Sequence, residues 1–176
     1  MKVTVAAVVS LDGKMTKHGQ PNIYDWVSRE DQAHFEKLRN DHDAIVMGSG
    51  TYKTIRGRLR LSPDKLRVVL THRPKDFAKD TVFNQLEFMA KNPEEFVYHL
   101  ESRGCKKLLV AGGSQMITDF LHAKLVDKLH LTIEPLIFGK GTPLLAPEKL
   151  DIKLKLVSEK TLNSQGTLLL IYKVIR

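Results

Sequence analysis

The sequence predicts an α/β protein: a mostly parallel central sheet covered by helices, with an antiparallel hairpin at its C-terminal end. Two observations carry this. Short apolar runs with little alternation, the mark of strands buried on both faces, are separated by stretches whose apolar residues recur at helical spacing. From about residue 127 the pattern changes to alternating strands joined by a turn, which ends the sheet on an antiparallel edge.

The elements follow in order. "KVTVAAVVS" (2–10) is a buried strand, turned by the Asp-Gly pair of "LDGK". After a polar loop to Trp26, Ser28 is placed to cap a helix, with Asp31 at capping-box spacing and Ala33, Phe35 and Leu38 as its apolar positions up to Arg39. "DAIVMG" (43–48) is a short buried strand, and "GTYKTI" opens a second short helix. "LRVVLTHRP" (66–74) repeats the form, a buried strand stopped by polar residues and a proline. Asn92, Pro93 and Glu94 start a helix with Phe96, Val97 and Leu100 on one face and Gly104 beyond its end. "KKLLVAGG" is the next strand, and from Gly113 to about Ala123 a helix puts Met116, Ile117, Phe120 and Leu121 on one side. "DKLHLTIEPLIFG" (127–139) alternates, and 153–174 reads as two strands around a turn at 163–166.

A chain of 176 residues is the size of one domain, so residues 1–176 are expected to form a single unit. No apolar run approaches the length of a membrane span, and the first residues are β-branched and bounded by charges, like a strand rather than a signal peptide. One cysteine, Cys105, excludes an internal disulfide, and no Cys/His spacing suggests a metal site. A cytoplasmic protein fits. The formal charge of +8 attracts anions without choosing among them. Nucleic acid is disfavoured, because no aromatic ribonucleoprotein motif, zinc-ligand set or helix-turn-helix pattern accompanies that charge.

In such sheets ligands collect beyond the carboxyl ends of parallel strands. Three strands end suggestively, at "MGSGT", "LTHRP" and "AGGSQ". In the last, Gly112 and Gly113 admit a phosphate close to the backbone beside Ser114 and Gln115, or they serve a tight turn that needs positive φ at one glycine. Thr71, His72 and Arg73 offer a hydroxyl, an imidazole and a guanidinium to a phosphate monoester, of the kind that separates NADPH from NADH, or form a solvated basic loop. "RGRLR", with Arg56, Arg58 and Arg60 between Lys53 and Lys65, is open to the same two readings. Asp31 either delivers a proton and orients a heterocycle, or completes the cap of Ser28. His34 and Trp26 read from position alone as a helix-surface and a core-edge residue.

Taken together, "SLDGKMT" (10–16), Trp26 with Val27 and Ser28, "LRNDHDAIVMGSGT" (38–51), "RVVLT" (67–71) and the long stretch 108–145 resemble the dihydrofolate reductase-like superfamily. The chain is more closely similar to the C-terminal reductase domain of the bifunctional riboflavin-biosynthesis deaminase-reductase. That resemblance implies a three-layer fold with helices on both faces, a homodimer, and NADPH-dependent reduction of the ribose of 5-amino-6-(5-phosphoribosylamino)uracil. It puts cofactor contacts on Ala7, Lys14, Gly48, Ser49, Thr51, Thr71, His72, Arg73, Gly112, Gly113, Ser114 and Gln115. Substrate contacts fall on Trp26, Arg39, Leu59 and Arg60.

Two positions depart from that branch. Ala111 stands where a glutamate commonly precedes the Gly-Gly pair, and Ile55, Arg56 and Gly57 replace an Asp-Asn-Pro segment. An aliphatic side chain cannot accept the hydrogen bonds an acid accepts. The dihydrofolate reductase branch offers a second likeness: "AIVMGSGTYKTI" is similar to its strand-to-helix stretch, with Ser49 in place of arginine, and "EDQAHFEKL" lies over its first helix with Asp31 at the pterin-binding carboxylate. The expectation is an NADPH-dependent reductase of a phosphorylated pyrimidine, with a dihydropterin reductase or a nucleotide-binding module without turnover as the alternatives.

Overall fold

A computed structural model describes residues 1–175. Eight strands among them form one sheet: β1 (Lys2–Ser10), β2 (Ala44–Gly48), β3 (Leu66–Leu70), β4 (Leu86–Met89), β5 (Lys107–Val110), β6 (Lys128–Glu134), β7 (Lys153–Thr161) and β8 (Leu168–Ile175). Their order is β4-β3-β2-β5-β1-β6-β8-β7. The pairings from β4 to β6 are parallel, and β8 joins β6 and β7 antiparallel. Four α-helices pack on the sheet: α1 (Arg29–Asp41), α2 (Ser49–Ile55), α3 (Pro93–Ser102) and α4 (Ser114–His122).

Alternate residues of each buried strand serve two different cores, as the pleat requires. Val3, Val5, Ala44, Val46, Val68 and Leu108 meet Phe96 and Leu100 of α3 and Phe120 of α4 on one face. Ala6, Ile45, Met47, Val69 and Leu109 meet Leu38 of α1, Tyr52 of α2 and Phe77 on the other. This is the three-layer arrangement that the family resemblance implies.

Several boundaries move. The run at 66–74 is strand only to Leu70, and the run at 127–139 only from Lys128 to Glu134, because the chain beyond turns to meet the loop after β1. The sequence reading passed over β4 altogether. The turn between β7 and β8 falls where expected: Asn163 Oδ1 accepts from the amides of Gln165 and Thr167, and Gly166 has φ +95°. All of β7 is exposed, Leu154, Leu156 and Val157 included, and its register shifts between Leu156 and Ser158.

Two loops at the carboxyl edge are stapled to each other. Asp12 accepts hydrogen bonds from the Ser10 hydroxyl at 2.6 Å and from the amides of Phe138 at 3.0 Å and Gly139 at 2.8 Å, which hold its carboxyl down at about 2. The Met15 amide donates to Thr142 O, the His18 amide to Lys140 O and the Leu144 amide to Gly13 O. A Cβ on Gly141 would collide with the Thr16 carbonyl, so this closeness requires glycine there.

Candidate active site

A cavity of about 880 Å³ opens between α1, the segment 55–65 and the sheet face that carries Ala6, Ile45 and Met47. Seven of the expected catalytic, cofactor and substrate residues line it: Ala7, Asp31, Arg39, Thr51, Leu59, Arg60 and Gly112. Ala111 and Ile55, the two departures, line it as well, so part of its wall is aliphatic.

Its most ordered side is the contact between α1 and β6. Along β6 the polar His130, Thr132 and Glu134 alternate with Leu129, Leu131 and Ile133, and it is the polar set that faces α1. The helix answers with Ser28, Asp31 and His34, three residues apart and therefore on one face. The Ser28 amide donates to Glu134 Oε1 at 2.8 Å, and the Thr167 hydroxyl donates to Glu134 Oε2 at 2.6 Å. Thr132 donates to the Asp31 carboxylate. His34 Nε2 lies 3.0 Å from His130 Nδ1, with the rings stacked at 5.2 Å between centroids.

This geometry corrects the expected cap. Ser28 Oγ does accept from the Asp31 amide at 3.2 Å, but the reciprocal bond to the Ser28 amide is made by Glu134 rather than Asp31. The Asp31 side chain is thereby left for the cavity, with the residue only 9% exposed. Burial pushes its carboxyl up to about 6, the Thr132 hydrogen bond works against that rise, and the Glu134 charge adds to it. Burial likewise pulls His130 down to about 4, assisted by the charges of His34, Lys128 and His42. His34, read from position as a surface residue, is a cavity residue.

The other end is cationic. Arg39, Arg58, Arg60, Lys65 and Arg67 all line the cavity. Arg39 is paired with Glu36 at 2.6 Å, and Arg58 lies over the Tyr24 ring at 4.9 Å. Arg67 is different: it is 3% exposed, its Nη1 donates to the Lys65 carbonyl at 3.1 Å, and none of the salt bridges among the described residues includes it. A buried guanidinium without a counter-ion is costly until an anion arrives. The sequence reading missed it because it sits inside an apolar strand, where an arginine is the one residue out of pattern.

Ten expected residues lie outside the lining: Lys14, Trp26, Gly48, Ser49, Thr71, His72, Arg73, Gly113, Ser114 and Gln115. Most occupy the ends of β3, β2 and β5, which are neighbours in the sheet, and so form one rim. Gly112 and Gly113 both have positive φ, +103° and +84°, and the Ser114 hydroxyl at the start of α4 is buried without a hydrogen-bond partner. Thr71 Oγ1 accepts from the Arg73 amide, His72 is exposed, and the Arg73 guanidinium lies 3.7 Å from Asp76. Gln115 Nε2 donates to Asp119, and Lys14 belongs to the stapled loop, bridging to Pro143. Of the expected substrate set, Trp26 alone lies outside the lining. The short 3-10 turn at Ile23–Asp25 gives Tyr24 and Val27 to the cavity and turns Trp26 edge-on to Phe138, 5.1 Å between centroids, with its indole N–H buried and unpartnered.

Residues 1–168 match the RibD C-terminal domain family. The chain belongs to that family. Among RibD-related and other known proteins it is 27% identical over 179 residues to the uncharacterized protein YyaP of Bacillus subtilis, covering 97% of this chain and 94% of that one. A pyrimidine reductase-like protein from Corynebacterium diphtheriae superposes with a TM-score of 0.79 at 19% identity, over 99% and 92% of the two chains. Dihydrofolate reductase from Enterococcus faecalis, solved with NADP(H), gives 0.70 at 17% identity over 99% and 97%. These two likenesses show the dihydrofolate reductase-like fold. Among the described residues no three or more His, Cys, Asp or Glu side chains are grouped to hold a metal ion, and no helix is long and apolar enough to cross a membrane.

Proposed function

We propose that the protein is an NADPH-dependent reductase of a phosphorylated pyrimidine, 5-amino-6-(5-phosphoribosylamino)uracil or a close relative, in the riboflavin pathway. One observation carries the reading. A single cavity joins the buried carboxyl of Asp31 to the unpaired guanidinium of Arg67 and to the Gly112 rim. Asp31 and Arg39 stand eight residues apart on α1, about 12 Å along the helix, a span that suits a base at one end and a sugar phosphate at the other.

The rim fits a dinucleotide. The orphaned Ser114 hydroxyl and the two positive-φ glycines offer a pyrophosphate a donor and an approach free of Cβ atoms. Gly48, Ser49 and Thr51 extend the rim, Thr71 to Arg73 would meet a 2'-phosphate, and Ala7 and Lys14 border the nicotinamide end. Bound NADPH supplies the hydride. The protein's own part is to orient the substrate, to keep water from the reacting carbon with the wall of Ala6, Ile45 and Met47, and to hold a proton on Asp31.

A second reading, reduction of a dihydropterin, has its own support. Ala111 and Ile55 remove two acids from the wall, while the Asp31 and Thr132 pair remains to meet the amidine-like edge of a pterin. For assembly, the exposed Leu154, Leu156, Leu168 and Ile175 of β7 and β8 support a homodimer built on this part of the sheet.

NADPH oxidation measured with the phosphoribosylaminouracil, with dihydrofolate and without substrate separates the readings. Turnover of the first alone is expected. Turnover of dihydrofolate alone would move the assignment to pterins, and tight NADPH binding with neither reaction would leave a binding module.

A further inference from the structure

The α1 and β6 contact holds a pair of groups that orientation and hydride delivery leave unused. His34 and His130 both line the cavity, share a hydrogen bond of 3.0 Å between His34 Nε2 and His130 Nδ1, and are stacked. Each is half-buried rather than sealed in the core. His34 lies one helical turn after Asp31, and His130 two residues before Thr132 on the same face of β6, so the pair adjoins the Asp31 and Thr132 pair. Side chains three apart on a helix have Cβ atoms about 5–6 Å apart, a gap that one hydrogen bond or one water spans.

We infer that His34 and His130 form a proton relay that recharges Asp31 after each reduction. The inference rests on the reading of the cavity as a reductase site. When hydride adds to the carbon of a C=N or C=O bond, the π pair moves to nitrogen or oxygen, which takes the Asp31 proton and leaves a carboxylate. Two neutral imidazoles joined by one hydrogen bond restore it without a net charge. His34 gives up the proton on Nδ1, the shared proton crosses from His130 Nδ1 to His34 Nε2, and His130 Nε2 takes a proton from water in the same movement. Each ring gives up one proton and takes up one, water is left as hydroxide, and the pair ends in its other tautomer, which proton exchange with solvent returns before the next turnover.

Burial first, and then the neighbouring charges, disfavour the charged form of both rings. His34 faces Lys37 on its own helix, and His130 faces Lys128 on its strand and His42 at the end of α1. The neighbours of His130 across the sheet, Ala6 on β1 and Ile171 on β8, carry no charge. Glu134, the remaining acid on this face, is already bonded to Ser28 and Thr167.

His34→Gln, His130→Gln and the double variant test the relay. Each keeps a polar side chain at its position and removes the exchangeable tautomer. NADPH binding and thermal stability should stay close to the parent, and nitrogen NMR should show the shared proton in the parent and in neither single variant. The Asp31 carbon resonance should report slower proton exchange in all three. On whichever substrate the parent turns over, the three should lose the same tenfold or more above pH 7, with little loss below pH 6 and a larger solvent isotope effect. Losses that are equal at every pH, or that add between the two positions, would overturn the relay in favour of packing. If the parent reduces none of the substrates, the functional reading falls, and the NMR arms alone decide the relay: no shared proton and unchanged Asp31 exchange would end it.

Discussion

Glu134 accepts the backbone amide of Ser28, 106 residues away in the chain, at 2.8 Å. That bond ties the last residue of β6 to the start of α1 and takes over the half of the capping box that Asp31 would otherwise fill. A carboxylate that local spacing assigns to a helix end becomes a cavity group with its protonation set by burial.

Asp31→Asn should separate stability from activity. The folded protein raises this carboxyl from 3.8 to about 6, so the native state binds more protons than the unfolded chain between those values. Stability from this group is therefore present in acid and lost as pH rises through the window. The asparagine variant should be more stable than the parent by roughly 2–3 kcal/mol above pH 7 and about equal near pH 4, in denaturant titrations at the two pH values. Its reductase turnover should fall about a hundredfold or more.

Ser114→Ala removes a buried hydroxyl that has no partner among the described residues. Without cofactor the variant should melt at the parent's temperature or slightly above it. NADPH should bind about tenfold to a hundredfold more weakly, the worth of one hydrogen bond to a charged acceptor. Calorimetric titration reads both the affinity and its enthalpy.

Arg67→Met exchanges a buried cation for an apolar chain of similar length. The unliganded protein should gain stability, because the desolvated charge is gone. KM for a phosphorylated substrate should rise about tenfold to a hundredfold, while an unphosphorylated analogue should be affected little. Equal effects on both compounds would place the phosphate elsewhere in the cavity.

Gly141→Ala should loosen the two stapled loops, since the new methyl would collide with the Thr16 carbonyl. Amide exchange at 136–144 should accelerate relative to the rest of the sheet. Gly50→Ala serves as the contrast: nothing lies within 4 Å of its Cβ position, and it is helical, so it should be neutral or stabilising by about 0.5–1 kcal/mol.

The strands β1, β2, β3 and β5 were legible because each is an apolar run that packs on both faces, and their neighbours repeat at helical spacing. β4 was not, because "LEFM" is four residues long and includes Glu87, whose carboxylate leaves the sheet to meet Arg103 at 2.7 Å. In β6 the alternation with Leu129, Leu131 and Ile133 was visible, but spacing alone does not say what its polar set meets. Thr132 and Glu134 are buried and His130 half-buried because α1 and Thr167 supply partners that only the folded chain brings near. The glycine rim and Asp31 could be named from short motifs, whereas Arg67 and the histidine pair needed the cavity to give them a common address.

Under the proposed homodimer, β7 would set how a second copy meets this one. A strand at the end of a sheet offers free backbone groups that another strand can extend, and here that edge carries Lys153, Lys155 and Lys160 and is broken by the shift between Leu156 and Ser158. Charge and irregular spacing discourage a ninth strand, while Leu154, Leu156 and Val157 remain exposed. The sheet therefore ends in a surface suited to being stacked upon and poorly suited to being lengthened, which favours a closed pair over an open fibre.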